Sequence, residues 1–207
     1  MRLFFASTSP FARKVRICVR ELGLGADIEE ILINPWTDEK LRAINPLAKV
    51  PTLLADDGQV LFESGVICDF LDELARNTGK TDRRLFPIAG PSRWHALQLQ
   101  ALADGIMAAT GRLFADQQRP AGERSDFVMK RQADAVVSGL NALDRQVDTL
   151  NGTLPGIGEI AVASALEYLA FRWPDEHQFP MPATLAAWRA EFGKRPAMVE
   201  TRFYLPE

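Results

Sequence analysis

The chain has 207 residues, 47% of them hydrophobic, and a formal net charge of −3. That is apolar material for one large domain or two small ones, and the charge argues against the clustered basic face that nucleic-acid binding requires. Two cysteines, Cys18 and Cys68, make neither a disulfide framework nor a metal site and suit a reducing cytoplasm; no stretch has a secretory pattern or approaches about 20 apolar residues, the length that spans a bilayer.

Residues 2–5 form a short apolar run suited to a buried strand. Ser9-Pro10 reads as a helix N-cap followed by proline at the first helical position. Phe11, Val15, Cys18 and Leu22 then recur at helical spacing, with Arg13, Arg16 and Arg20 on a polar face, until Gly23 and Gly25 end the helix. Ile28, Ile31 and Ile33 predict a second strand, broken at Asn34-Pro35. A short helix over 37–44 stops at Asn45-Pro46. Strands at 52–54 and 60–62 flank Ala55-Asp56-Asp57-Gly58, a hairpin signal. Ser64 caps a further helix that buries Ile67, Phe70, Leu71 and Leu74. This order predicts a four-stranded mixed sheet with helices packed on it.

Residues 79–91, with Gly79, Pro87, Gly90 and Pro91, read as a linker. Everything after it reads as helical. Long amphipathic segments cover 92–115 and 123–150, and an alanine-rich segment over 160–173 is apolar nearly all round. A last helix over 183–192 stops near Pro196. The expected organisation is an α/β domain over 1–78, the linker, and an all-α domain over 92–207.

Three short motifs carry the candidate chemistry, and each has a plain structural reading beside the functional one. Ser9-Pro10-Phe11-Ala12 is a helix cap; it is also a place where free N–H groups, the positive dipole end and a hydroxyl stabilise a thiolate. Lys49-Val50-Pro51-Thr52 marks a strand start, or a cis-proline that presents the Val50 backbone to an extended peptide. Glu63-Ser64 opens a helix, or receives a zwitterionic amino acid, Glu63 on the ammonium and Ser64 with the helix N–H groups on the carboxylate.

Together these motifs resemble the glutathione site of the glutathione S-transferases. Residues 43–53 (AINPLAKVPTL) resemble the family's N-P-x-x-x-V-P-x-L signature, and 160–172 (IAVASALEYLAFR) resembles its buried core helix. Leu185, Trp188 and Arg195-Pro196 resemble its final helix and stop. Thr8-Ser9-Pro10-Phe11 and 101–107 (ALADGIM) are similar to bacterial members. The resemblance implies a thioredoxin-like N-terminal domain, an all-α C-terminal domain and usually a homodimer. It implies Ser9 as the catalytic residue, at the position of the omega-type cysteine and the zeta-type serine, with Ser7 and Thr8 near enough to compete. It implies glutathione as co-substrate, with no metal or organic cofactor. Phe11, Lys49, Val50, Pro51, Glu63 and Ser64 are the residues expected to meet glutathione. Asp104 is either an ordinary exposed acid or a glutathione contact across a dimer interface. Met107, Thr110, Gly111, Phe114 and Tyr168 are expected to line the site of a hydrophobic electrophile. An isomerase, dehalogenase or peroxidase on the same scaffold, or a non-catalytic protein-binding member, are the rival expectations.

Gly156-Ile157-Gly158-Glu159-Ile160-Ala161 matches a dinucleotide fingerprint, but no strand precedes it and helical sequence follows. His95 and His177 lie far apart in sequence, without a nucleophile elbow to make a hydrolase triad.

Overall fold

The computed structural model describes residues 1–150, 153–174 and 178–205, so His177 lies outside the described residues. The chain divides into two compact units. The first comprises Met1–Arg93 together with Arg195–Glu207, the second Trp94–Lys194.

The first unit is built on β1 (Arg2–Phe5), α1 (Pro10–Glu21), β2 (Glu29–Leu32), α2 (Glu39–Ile44), β3 (Thr52–Leu54), β4 (Val60–Phe62) and α3 (Ser64–Asn77). The sheet order is β2-β1-β3-β4. β1 runs parallel to β2 and antiparallel to β3, and β3 is antiparallel to β4. This is the mixed sheet that the sequence predicts. Its register has a consequence for function. Phe4 faces Thr52, and Thr52 faces Phe62, so the end of β1, the start of β3 and the end of β4 share one edge.

α1 begins as expected: Ser9 Oγ accepts a hydrogen bond from the Ala12 N–H at 3.2 Å, and Pro10 fills the first turn. It ends at Gly23, whose φ of 71° suits a residue without Cβ. The polar face read on α1 is not a solvent face, however. Arg13, Lys14 and Arg16 are buried. Arg16 Nε donates to Glu30 at 2.8 Å and its guanidinium stacks over Phe5, while Arg20 pairs with the same Glu30. Arg13 donates to the Met198 carbonyl at 3.2 Å and lies over the Phe203 ring. These partners come from β1, β2 and the C-terminal segment, which no local window on α1 contains.

That segment also moves the domain boundary. The sequence reading assigns 92–207 to the helical domain, whereas Arg195–Glu207 groups with the first unit. Pro196 does not end the helical structure; it opens α8 (Pro196–Glu200), the position proline favours. Arg195 anchors it with two bonds to Glu21, from Nε at 2.8 Å and Nη2 at 2.9 Å, and Arg83 adds a third at 3.0 Å. Burial pushes the Glu21 carboxyl up, but these hydrogen bonds outweigh it and hold the group below the ordinary glutamate range. A folded-state value below the unfolded one gives stability that is present above the ordinary range and lost as pH falls through the folded value. The parent is therefore expected to be more stable than Glu21→Gln at about pH 7, by about 1–3 kcal/mol in urea unfolding, and the gap is expected to narrow as pH falls below the ordinary glutamate range. A gap that does not change across this range would mean that the charge of Glu21 contributes nothing.

The stretch over 79–91 is more than a tether. Leu85 and Phe86 are buried, and their N–H groups both donate to the carboxylate of Asp72 on α3, at 2.7 and 3.3 Å. α3 accordingly buries Cys68 and Asp72 with Ile67 and Leu71, whereas Phe70 and Leu74, expected inside, are only half-buried.

The second unit is helical: most of α4 (Gly90–Gln117), then α5 (Asp126–Asp144), α6 (Ile157–Arg172) and α7 (Ala183–Phe192). The segment expected over 123–150 is shorter at both ends. Ser125 caps α5 by accepting from the Val128 N–H, and the stretch ends in a separate 3-10 turn, Val147–Thr149. α6 is buried on nearly every side, as its composition predicts. Gly156 caps it, and Glu159 reaches back to the Gly156 N–H at 2.9 Å, the half of a capping box that a glycine cap permits. Gly158 has a packing role: a Cβ there would lie 3.0 Å from the Leu99 Cβ and 3.3 Å from the Ala96 carbonyl. The dinucleotide-like spacing thus serves the close approach of α6 to α4. No helix among the described residues is long and apolar enough to cross a membrane.

Candidate functional site

The shared edge of the sheet collects three of the expected motifs in the first unit. β1 leads into the 6–9 turn, closed by a hydrogen bond from the Ser9 N–H to the Ala6 carbonyl at 3.0 Å. Ser9 is half-buried at the N-terminus of α1, Ser7 is buried and Thr8 is half-buried. Because Ser9 Oγ accepts from Ala12, its own O–H proton is left to donate elsewhere. A thiolate placed there meets that donor together with the N–H groups and positive end of a helix of 12 residues.

The second motif is the loop before β3. The Val50-Pro51 peptide bond is cis. Among the described residues neither the N–H nor the carbonyl of Val50 enters a backbone hydrogen bond. Asn45 and Thr52 hold the loop in shape. Buried Asn45 donates to the Lys49 carbonyl at 3.1 Å and to Thr52 Oγ1 at 2.9 Å, and accepts from the Leu47 N–H at 3.0 Å. Thr52 Oγ1 itself donates to the Lys49 carbonyl at 2.8 Å. The sequence reads Asn45 as a helix stop and as the first residue of the family signature, without a role in shaping the loop. The signal for the larger role was present, because an asparagine side chain readily organises the turn that follows it. Lys49 is exposed on this loop and Pro51 is buried at its end.

Ser64 was expected as the cap of α3, but the cap is Glu63, and Ser64 is the first helical residue. Glu63 sits at φ 76°, ψ 122°, a conformation that costs a residue with a side chain about 1–3 kcal/mol. Its carboxylate folds over the helix start, accepting from the Gly65 N–H at 2.9 Å and from the Ser64 hydroxyl at 3.4 Å. Glu63 is exposed while Ser64 is buried. An exposed carboxylate therefore lies over a helix N-terminus, where the positive end of the helix favours negative charge.

Phe11 is half-buried in the first turn of α1. The remaining expected residues belong to the second unit. Asp104 is half-buried on α4. Met107 and Thr110 are buried in the helical core, as is Tyr168 on α6, whereas Gly111 and Phe114 are half-buried. Gly111 and Phe114 on α4 and Tyr168 on α6 come together: a Cβ on Gly111 would lie 3.3 Å from the Tyr168 hydroxyl. Arg172 and Phe171, at the end of α6, complete the cluster around Phe114 and Tyr168.

Residues 8–74, which span Ser9, Val50 and Glu63, match the family model described as glutathione S-transferase, N-terminal domain. The "Uncharacterized GST-like protein YibF" of Escherichia coli (strain K12) is 31% identical over 175 residues, 83% of this chain and 83% of that protein. The chain belongs to the glutathione S-transferase family. A glutathione transferase family member from Pseudomonas fluorescens Pf-5, solved with bound glutathione, superposes with a TM-score of 0.88 at 34% identity over 99% of both chains. The same protein with bound S-(propanoic acid)-glutathione gives a TM-score of 0.86 at 34% identity, over 99% of this chain and 100% of that one. The family architecture, a thioredoxin-like N-terminal domain followed by a helical domain, is the one seen here.

Proposed function

We propose that this family member is an active glutathione transferase, which stabilises the glutathione thiolate at Ser9 and delivers it to a hydrophobic electrophile. The observation that carries this reading is the Ser9 hydroxyl, held by Ala12 at the N-terminus of α1 with its proton free to point outward. The glutathione bound to the Pseudomonas relative supports it. The thiolate forms a carbon–sulfur bond while the leaving group departs with its electron pair, or the electrophilic double bond takes up a proton. Catalysis is then thiolate stabilisation and orientation, without metal or organic cofactor beyond glutathione as co-substrate. Under this reading Val50 pairs with the cysteinyl main chain, Lys49 meets the glycyl carboxylate, and Phe11 and Pro51 flank the peptide. Glu63 takes the γ-glutamyl ammonium, with Ser64 and the α3 N-terminus on the adjoining carboxylate. The protein acts as a homodimer in the cytoplasm, as members of the family usually do.

Calorimetry tests the glutathione part. Glu63→Ala removes the only carboxylate assigned to the ammonium and is expected to weaken glutathione binding by about 1.5–3 kcal/mol. Unchanged affinity would remove Glu63 from the site. Turnover over a panel of electrophiles tests the chemical part; glutathione binding with no turnover on any of them would favour the non-catalytic alternative.

A further inference from the structure

Arg172 closes the last turn of α6 inside a group of aromatic rings. Its guanidinium carbon lies 4.1 Å from the centre of the Phe114 ring, 4.9 Å from that of Phe171 and 5.2 Å from that of Tyr168. Its Nε is buried without a hydrogen-bond partner, as is Thr110 Oγ1, one turn before Phe114 on α4. Among the described residues the guanidinium of Arg172 makes no ion pair. Arg16, Arg189 and Arg195 are by contrast each paired with a carboxylate, that of Glu30, Glu167 and Glu21 in turn.

A guanidinium is always charged and carries five donors in a rigid planar fork. Aromatic faces attract the charge but offer no oxygen to those donors. Sheltering a donor without an acceptor is unfavourable, and a planar oxyanion answers the fork with two parallel hydrogen bonds. Phe114, Phe171 and Arg172 are each half-buried, so the cluster keeps a face open to a ligand. The absence of a Cβ at Gly111 lets the Tyr168 hydroxyl pack close against α4.

We propose that this cluster of the helical unit is a carboxylate site. Arg172 forks the two carboxylate oxygens, and the Phe114 and Phe171 rings cover the apolar body of the ligand. The ligand of this cluster is accordingly a hydrophobic carboxylic acid. Its role as an acceptor site rests on the transferase reading, whereas its anion chemistry does not.

Equilibrium titration of the full chain with 1-naphthoate and 1-naphthamide tests the site, because the two probes share an apolar body and differ in charge. The acid is expected to bind about tenfold or more tightly than the amide. Arg172→Gln should abolish that preference and leave amide binding unchanged. Arg172→Lys keeps the charge but loses the fork, so it should retain only part of the preference; it also serves if the glutamine variant does not fold. Equal binding of acid and amide to the parent, or equal weakening of both by a folded Arg172 variant, overturns the proposal. Glutathione is titrated into the same samples. Failure of glutathione to bind would remove the transferase reading, and an Arg172-dependent preference for the acid would still establish the carboxylate site.

Discussion

Ser9→Ala is expected to lower turnover with an electrophile about a hundredfold while changing the glutathione dissociation constant little. Under the proposed function the hydroxyl donates to the sulfur and not to the peptide arms, whose proposed partners are Val50, Glu63 and Ser64. A free thiol has a pKa of about 8.5, and a depression of about two units leaves most of it ionised at neutral pH. Thiolate absorbance against pH in the binary complex should therefore move back toward the free-thiol value in the variant. The hydroxyl also caps α1 through Ala12, so stability should fall by about 1 kcal/mol. That second readout separates loss of the cap from loss of the thiolate donor, because a cap defect alone lowers the melting temperature without moving the thiol pKa. An unchanged pKa would assign the role to Ser7, Thr8 or the backbone amides.

The largest expected stability effect outside the site is at Asp72. Its carboxylate is the acceptor for the buried N–H groups of Leu85 and Phe86. Asp72→Ala leaves both donors without their partner and is expected to cost about 3 kcal/mol, read as a lowered urea midpoint. Asp72→Asn should cost less. It keeps one oxygen for Leu85 and removes a charge whose burial is unfavourable enough to push the carboxyl up despite both amides. Equal losses in the two variants would indicate that packing around residue 72, not its acceptor oxygens, holds the 85–86 segment in place.

Much of the candidate site was legible because its signals are local. Serine and proline at the start of α1, the hairpin residues between β3 and β4, and the apolar runs of β1, β3 and β4 lie within a few residues of what they determine. The three motifs converge through the strand register, which their order and alternation already imply. Glu63 is legible as a candidate site residue but not as the cap of α3, because a positive φ at a residue with a side chain runs against its intrinsic preference. Asn45 was read as a stop because its three hydrogen bonds belong to a folded loop and not to the helix before it.

From the sequence alone come the element order, the mixed sheet, the buried character of α6, and the residues that resemble a glutathione site. These follow from composition, periodicity and short-range stereochemistry, together with a family pattern that runs along most of the chain. Only the tertiary structure decided what the charged residues do. Arg13, Arg16 and Arg20 have the spacing of a solvent face, yet Arg13 bonds a carbonyl 185 residues away and Arg16 shares Glu30 with Arg20. Arg172 has the place of an ordinary basic residue in the last turn of a helix, and the fold surrounds it with rings from two helices. A charge in water needs no particular partner, whereas a sheltered charge needs one. Which charges are sheltered depends on segments far apart in the chain that no local pattern brings together.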